Sequence, residues 1–267
     1  MQVTATILDT PLDVGQRAAA LIADGIEKAN AEDRPFVLGC PSGRSAQTTY
    51  AALADEVSRR RIDLRRVVIA LMDEYVVRHS GGDEAVSPSL PHSCVGFGVR
   101  DILDPLNRAA LPGHGIPATS LWSPDVADPA EYDSRLSAIG GIDVFLLATG
   151  ASDGHIALNP RGSAKTSQTR IVALEESTRR DNLSTFPTFG SLDDVPRFGV
   201  TVGIDTIRSL SRSVIMLVIG SEKREAVTRI QAAVTYEPEW PSTIVTECHS
   251  PIFLIDQAAS DLVEAAL

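Results

Sequence analysis

A chain of 267 residues, 43% apolar and 22% charged, can bury a sizeable core as one large α/β domain or two small ones. Its formal net charge of −11 speaks against a nucleic-acid surface and against an anionic membrane, and it obliges any phosphorylated ligand to be held by a few local cations and backbone amides. Cys40, Cys94 and Cys248 show no CxxC or zinc spacing, there is no basic-then-apolar leader, and no run approaches the ~18–20 apolar residues of a membrane span, so the expectation is a soluble cytoplasmic protein with reduced, buried thiols.

Residues 2–8 alternate and are expected as an edge strand. Val14, Ala18, Leu21, Ile22, Ile26 and Ala29 recur at helical spacing behind Asp13, a candidate cap. Residues 35–40 (PFVLGC) form a short apolar run that breaks into Ser42-Gly43-Arg44-Ser45, and a helix is expected from 46 to about 59. Strand, Gly/Ser loop and helix start together offer free N–H groups and a positive helix end to an anion. An ordinary βα turn reads the same way, and neither a Walker loop nor a GxGxxG fingerprint is present.

Residues 67–71 (VVIAL) predict another buried strand, followed by Met72-Asp73-Glu74-Tyr75. Adjacent acids at a strand end are either a helix cap and solvated charge, or a catalytic base beside its neighbour. The stretch 78–91 is turn-rich and is expected as a mobile loop, with His79 and His92 solvent-exposed. A helix is expected over 93–107, bent or ended near Pro105. Residues 111–124 read as loop with a short strand at 120–122, and 129–139 as a helix.

Residues 140–163, GGIDVFLLATGASDGHIALNPRGS, open with a strand-forming run from Ile142 to Leu147 of the kind buried on both faces of a parallel sheet. The turn after it carries Asp153, Gly154 and His155, at the strand end where an open α/β sheet places its ligands. Asp153 can set the tautomer of His155 across that glycine, although a surface turn without chemistry has the same composition. Further strands are expected at 170–174, 213–220 and 252–255, and helical stretches at 203–210, from 223 to about 234, at 240–248 and after the final strand. Residues 175–196 read as long, polar and irregular.

No repeat, low-complexity tract or linker interrupts this alternation. It predicts one domain over 1–267, built on a single doubly wound, mostly parallel sheet with helices on both faces. Strand ends of such a sheet converge. An anion loop at Ser42–Ser45, the Asp73-Glu74 acids, the Asp153–His155 turn and Lys223 therefore form one composite that suits a phosphosugar and proton transfer, and demands neither metal nor organic cofactor.

From Phe36 to about Asp256 the chain resembles the glucosamine-6-phosphate deaminase/isomerase family, whose Rossmann-like fold is shared by 6-phosphogluconolactonases. The stretches that carry the resemblance are FVLGCPSGRSAQTTY, ALMDEY, GGIDVFLLATGASDGHIALN, GVTVGIDTI and LVIGSEKREA, in that order. It implies that Asp73 moves a proton between C2 and C1 of the opened sugar. His155 would assist ring opening, with Asp153 orienting it. Ser42, Gly43, Arg44, Ser45, Glu74, Gly154 and Lys223 would contribute to holding the phosphorylated substrate. In the family's deaminases the ketose imine is then hydrolysed to ammonia and fructose 6-phosphate.

The chain departs from the pattern at three points. Pro160 follows Asn159 where deaminases carry a glutamate that partners the histidine. Arg44 stands where a second glycine is usual, and Ser184 aligns with an expected phosphate-binding arginine, so Arg44 is a candidate replacement cation. Three functions remain open on these residues: an aldose–ketose isomerase or deaminase, a lactone hydrolase, and a sugar-phosphate binding protein without turnover. Lactonases of the fold usually read Asp-Glu-Arg where this chain has Asp73-Glu74-Tyr75. The expected partner is a small phosphorylated sugar, and a homo-oligomer is compatible with the family.

Overall fold

The structure, a computed structural model, describes residues 2–186 and 188–260. Its main sheet has seven strands: β1 (Ala5–Leu8), β2 (Phe36–Cys40), β3 (Val67–Leu71), β6 (Leu121–Trp122), β7 (Val144–Ala148), β10 (Val214–Val218) and β11 (Pro251–Asp256). They are ordered β1-β11-β10-β7-β2-β3-β6, and every pairing is parallel. The expected edge strand at the N-terminus is the edge, and the expected strand at 252–255 lies inside the sheet, between β1 and β10.

Side chains along each strand point alternately to opposite faces, and here the alternation divides two cores. Leu38, Ile69, Leu146, Ile215 and Leu254 pack on one face with helices α1 (Pro11–Ala31) and α2 (Gln47–Arg60). Val37, Val68, Phe145, Met216 and Phe253 pack on the other with α5 (Pro129–Ala138), α7 (Ile204–Leu210) and α8 (Arg224–Ala232). The sheet is thus covered on both sides, which is why its strands read as continuous apolar runs. Gly39 is needed in β2 because a Cβ there would stand 2.1 Å from the Phe145 ring of the neighbouring β7. Helix α1 is capped by Thr10, and Asp13 reciprocates by accepting the Thr10 backbone N–H at 3.0 Å, so the expected cap residue is the second half of a capping box.

A second, antiparallel sheet was not expected. Strands β4 (Asp73–His79), β5 (Gly82–Ala85), β8 (Arg170–Ala173) and β9 (Phe198–Thr201) pair in the order β5-β4-β9-β8. The Asp73-Glu74 pair therefore opens a new strand one residue beyond β3 instead of ending the old one. The stretch 78–91, expected as a loop, begins as the β4–β5 hairpin, closed by an Arg78–Asp83 ion pair at 2.7 Å. The expected strand at 170–174 belongs to this sheet and not to the main one. Residues 175–196 contain helix α6 (Glu176–Thr185). The helix expected over 93–107 is built from α3 (Cys94–Phe97), a π-helical segment over 98–103 and α4 (Asp104–Ala109), with Pro105 in the first turn of α4. His92, expected as solvent-exposed, is half-buried: its ring lies 4.6 Å from that of Phe189 and 5.7 Å from that of Tyr75. The stretch 240–248 is a 3₁₀ turn over Pro241–Glu247, and the final helix expected after β11 lies outside the described residues.

Candidate active site

The carboxyl ends of β10, β7, β2 and β3 lie side by side, and each continues into one part of the composite. After β2, Gly43 adopts φ +144° and ψ 179°, a region open in practice to glycine alone, and no atom lies within 4 Å of where its Cβ would be. The chain then enters a 3₁₀ turn, Arg44–Ala46, that runs into α2 and packs against β7 and β10. The first N–H groups of such a turn have no intrahelical partner and are available to an anion. Arg44 is exposed and, among the described residues, makes no side-chain ion pair. After β10 the same design recurs: Gly220 at φ +97°, a 3₁₀ turn Ser221–Lys223, then α8. Lys223 Nζ reaches back to donate to the Thr149 carbonyl at the end of β7. Burial lowers the Lys223 pKa against the pull of Asp181, Glu222 and Asp153, and the Arg44 charge lowers it further. Two cations thus act on one region, a natural place for a dianion.

After β7 the turn brings Asp153 and His155 together. Asp153 Oδ1 lies 2.7 Å from His155 Nδ1 and also accepts the His155 backbone N–H at 3.0 Å. Its Oδ2 accepts from Ser177 Oγ at 2.6 Å and Thr178 Oγ1 at 3.2 Å, both in the first turns of α6. Burial acts to raise the Asp153 pKa, but hydrogen bonding to His155, the His155 charge and the Ser177 hydroxyl hold it well below the usual carboxylate range. An ionised Asp153 places the neutral imidazole's proton on Nδ1 and leaves Nε2 for chemistry. Gly150 makes the pair possible, since a Cβ there would lie 2.2 Å from Asp153 Oδ1 and 2.3 Å from His155 Nδ1. Gly154 holds φ +64° with Trp240 against it, a Cβ standing 2.5 Å from the indole, so its part is to turn the chain between Asp153 and His155.

Asp73 and Glu74 leave β4 on opposite faces. Asp73 lies towards the anion loop, its Oδ1 3.5 Å from Ser42 Oγ and 3.2 Å from Cys94 Sγ. Its Oδ2 accepts no hydrogen bond among the described residues, yet it is not a sealed, unpaired buried atom. It therefore opens to solvent. Burial raises the Asp73 pKa to about 6; Cys94 opposes this, Glu74 adds to it, and His155 and Ser42 oppose it. His155 is thus near enough for its charge to act on Asp73, across the ends of β3, β2 and β7.

Glu74 does not join them. Its oxygens accept the N–H groups of Tyr75 (2.8 Å), Cys94 (3.0 Å) and Val95 (2.9 Å) and the Ser93 hydroxyl (2.7 Å). Four donors fill a carboxylate's acceptor sites, so the residue expected to help hold substrate instead anchors the start of α3. Cys94, Ser177 and Thr178 contact the acids directly and were missed, because no motif marks a thiol or hydroxyl brought in by another element. All three cysteines are free and buried. A shallow cavity of about 550 Å³ lined by Gly141, Ser211, Arg212 and His249 lies at the amino ends of β7, β10 and β11, the opposite edge from these groups.

The family model for glucosamine-6-phosphate isomerases and 6-phosphogluconolactonase matches residues 9–254. The chain belongs to this family. It is 30% identical to a glucosamine-6-phosphate isomerase of Candida albicans over 257 residues, 96% of this chain and 97% of the relative. Among solved structures it is similar to a monomeric glucosamine-6-phosphate deaminase, with a TM-score of 0.81 and 24% identity over 98% of this chain and all of that one. It is also similar to the 6-phosphogluconolactonase of Leishmania guyanensis, with a TM-score of 0.72 and 18% identity over 99% of this chain and all of that one. The family is one of sugar-phosphate enzymes, and among the described residues no helix is long and apolar enough to cross a membrane.

Proposed function

We propose that the protein is a cytoplasmic aldose–ketose isomerase of the glucosamine-6-phosphate type, with Asp73 as the proton-transferring base. The observation that carries this reading is the Asp73 carboxylate: buried, with one oxygen free of hydrogen bonds, its pKa pushed up by burial to about 6, and within reach of the charge of the imidazole that Asp153 orients. A base that titrates close to the operating pH combines a populated carboxylate with useful basicity. The Arg44–Ser45 turn, Gly43 and Lys223 hold the phosphate of the opened sugar. His155 Nε2 takes the proton of the C1 hydroxyl and delivers it to the ring oxygen as the bond between C1 and that oxygen breaks, and Asp153 stabilises the charge that the imidazole carries in between. Asp73 takes the C2 proton through Oδ2 and returns it to C1. If C2 bears nitrogen, water adds to the resulting imine and ammonia leaves. Pro160 supplies no carboxylate to this site, and Asp153 serves as the carboxylate partner of His155.

The test is exchange of the C2 proton of glucosamine 6-phosphate with deuterated solvent, with ammonia followed in parallel. Exchange with ammonia supports the deaminase, and exchange alone supports the isomerase. A second reading, lactone hydrolysis, is favoured by one observation: the Asp153–His155 pair can activate water with no further acid. Acid release from 6-phosphogluconolactone, without exchange on any sugar phosphate, would replace the first reading with this one.

A further inference from the structure

We propose that Cys94 is a positioning residue for Asp73: its S–H donates to Oδ1 while Ser42 donates to its sulfur, so that Oδ2 alone is presented to substrate. The inference rests on the reading of Asp73 as the base. Cys94 is the first residue of α3, 3% exposed, and its backbone N–H is drawn in by Glu74 at 3.0 Å. The two adjacent acids thus cooperate from opposite faces of β4. Glu74 fixes where the helix begins, and the helix returns a thiol to Asp73.

The direction of donation follows from chemistry. An ionised carboxylate can only accept, so the thiol proton lies towards Asp73 Oδ1 (3.2 Å) and the sulfur accepts from Ser42 Oγ (2.9 Å). Burial, with the charges of Asp73 and Glu74 added, pushes the Cys94 thiol well up. The proton therefore stays on sulfur at neutral pH, and Cys94 is a donor and not a nucleophile. The other titratable groups around Asp73 are committed elsewhere. Tyr50 from α2 donates to the Pro41 carbonyl at 2.8 Å, and Tyr132 from α5 donates to the Leu71 carbonyl at 2.8 Å. Glu74 is filled, Tyr75 lies on β4 beside it, and His155 faces Asp153. Among the described residues, Cys94 is then the one donor to the Asp73 carboxylate: Ser42 Oγ also lies 3.5 Å from Oδ1, but its single proton is directed to the nearer Cys94 sulfur at 2.9 Å. A thiol is a weak donor, so it can orient a base while lowering its basicity less than a hydroxyl would.

The test compares wild type with Cys94→Ala and Cys94→Ser, following C2-proton exchange of glucosamine 6-phosphate against pH. Loss of a donor to the ionised form moves the acid limb of the Cys94→Ala profile up by roughly half to one pH unit, lowers kcat by about tenfold and leaves KM nearly unchanged. Cys94→Ser, which keeps a donor, returns the limb to the wild-type position or below it. A second readout needs no turnover. The S–H stretch assigned to Cys94 by its absence in Cys94→Ser shifts as Asp73 ionises, with an apparent pKa of about 6, and does not shift in Asp73→Asn. An S–H band that is constant between about pH 4 and 8 overturns the proposal. So do identical acid limbs in all three proteins. Exchange that survives in Asp73→Asn instead overturns Asp73 as the base, and the infrared band then still reports whether the hydrogen bond exists.

Discussion

His155 is bound to Asp153 at two points, side chain to side chain at 2.7 Å and backbone N–H to the same Oδ1 at 3.0 Å, so ring position and tautomer are set by one carboxylate. Asp153→Asn keeps the volume and loses the charge. The amide cannot stabilise an imidazolium, and turnover is expected to fall by about 10²–10⁴ with little change in KM. There is a stability counterpart. The folded Asp153 pKa is depressed, so the unfolded chain protonates first as pH falls. Its contribution is complete above about pH 4 and is lost as pH drops towards the folded value. Denaturation of wild type and Asp153→Asn should therefore show a gap at neutral pH that narrows in acid.

At Asp73 the sign reverses. Its folded pKa is raised from 3.8 to about 6, so the native state binds the proton more tightly than the unfolded one. The Asp73 contribution to stability is then greatest below about pH 4 and declines as pH rises through 6, by at most about 3 kcal/mol. Asp73→Asn removes that penalty. The variant is expected to be more stable than wild type at pH 7, equal to it near pH 4, and inactive in C2-proton exchange. Urea denaturation at the two pH values checks the pair of statements.

The parallel sheet was legible because a strand buried on both faces has no polar side to break its apolar run, as in VVIAL of β3 and VIMLV of β10. The antiparallel sheet was not. Strand β4 opens with two acids, β5 reads Gly-Asp-Glu-Ala and is largely exposed, and β9 is four residues long. Helix α6, ESTRRDNLST, has no apolar stripe, so its pattern resembles loop. The same gap lies behind the placing of Glu74 in the site. Read as a strand end, Asp73 and Glu74 both enter the site. Read as a strand, period-2 alternation sends them to opposite faces, and only one can face the anion loop. The Asp–Gly–His turn was legible in sequence, whereas Ser177 and Thr178, which hold Asp153 from across the chain, carry no local signal.

Glu74→Ala separates anchoring from substrate binding. It strips four donors of their acceptor, three of them in buried hydrogen bonds, at a cost of about 3 kcal/mol or more. A loss of that size lowers Tm by roughly 6–12 °C in a domain of this size. A substrate ligand would behave otherwise, raising KM with Tm unchanged. Calorimetry alongside KM for glucosamine 6-phosphate distinguishes the two.

Gly150 and Gly154 are expected to fail differently when changed to alanine. At Gly154 the left-handed φ and the Trp240 ring oppose any side chain, so Gly154→Ala should lower overall stability by about 1–3 kcal/mol. At Gly150 the obstructing atoms are Asp153 Oδ1 and His155 Nδ1 themselves. A new methyl group forces the pair apart, so Gly150→Ala should cost activity as severely as Asp153→Asn. Equal activity in Gly150→Ala and wild type would remove the pair from the mechanism.

Arg44 offers the sharpest test of how the anion is held. Its loop bends on a glycine that leaves open space, Lys223 feels its charge, and no described acid neutralises it. A charge-assisted hydrogen bond to phosphate is worth about 1.5–3 kcal/mol, so Arg44→Ala should raise KM for a phosphorylated sugar some 10- to 100-fold at unchanged kcat. Arg44→Lys should recover part of this, because a point charge replaces attraction but not the planar fork of donors. The defect should grow as salt is lowered and shrink as it is raised, since the partner is exposed and screened. Lys223→Ala is expected to lower kcat as well, because Lys223 also holds the Thr149 carbonyl at the start of the turn that carries Asp153 and His155. Inorganic phosphate, as a competitor of turnover, reads the same subsite without the sugar. If Arg44→Ala binds every sugar phosphate and inorganic phosphate as wild type does, the anion is held by the loop amides and Lys223 alone.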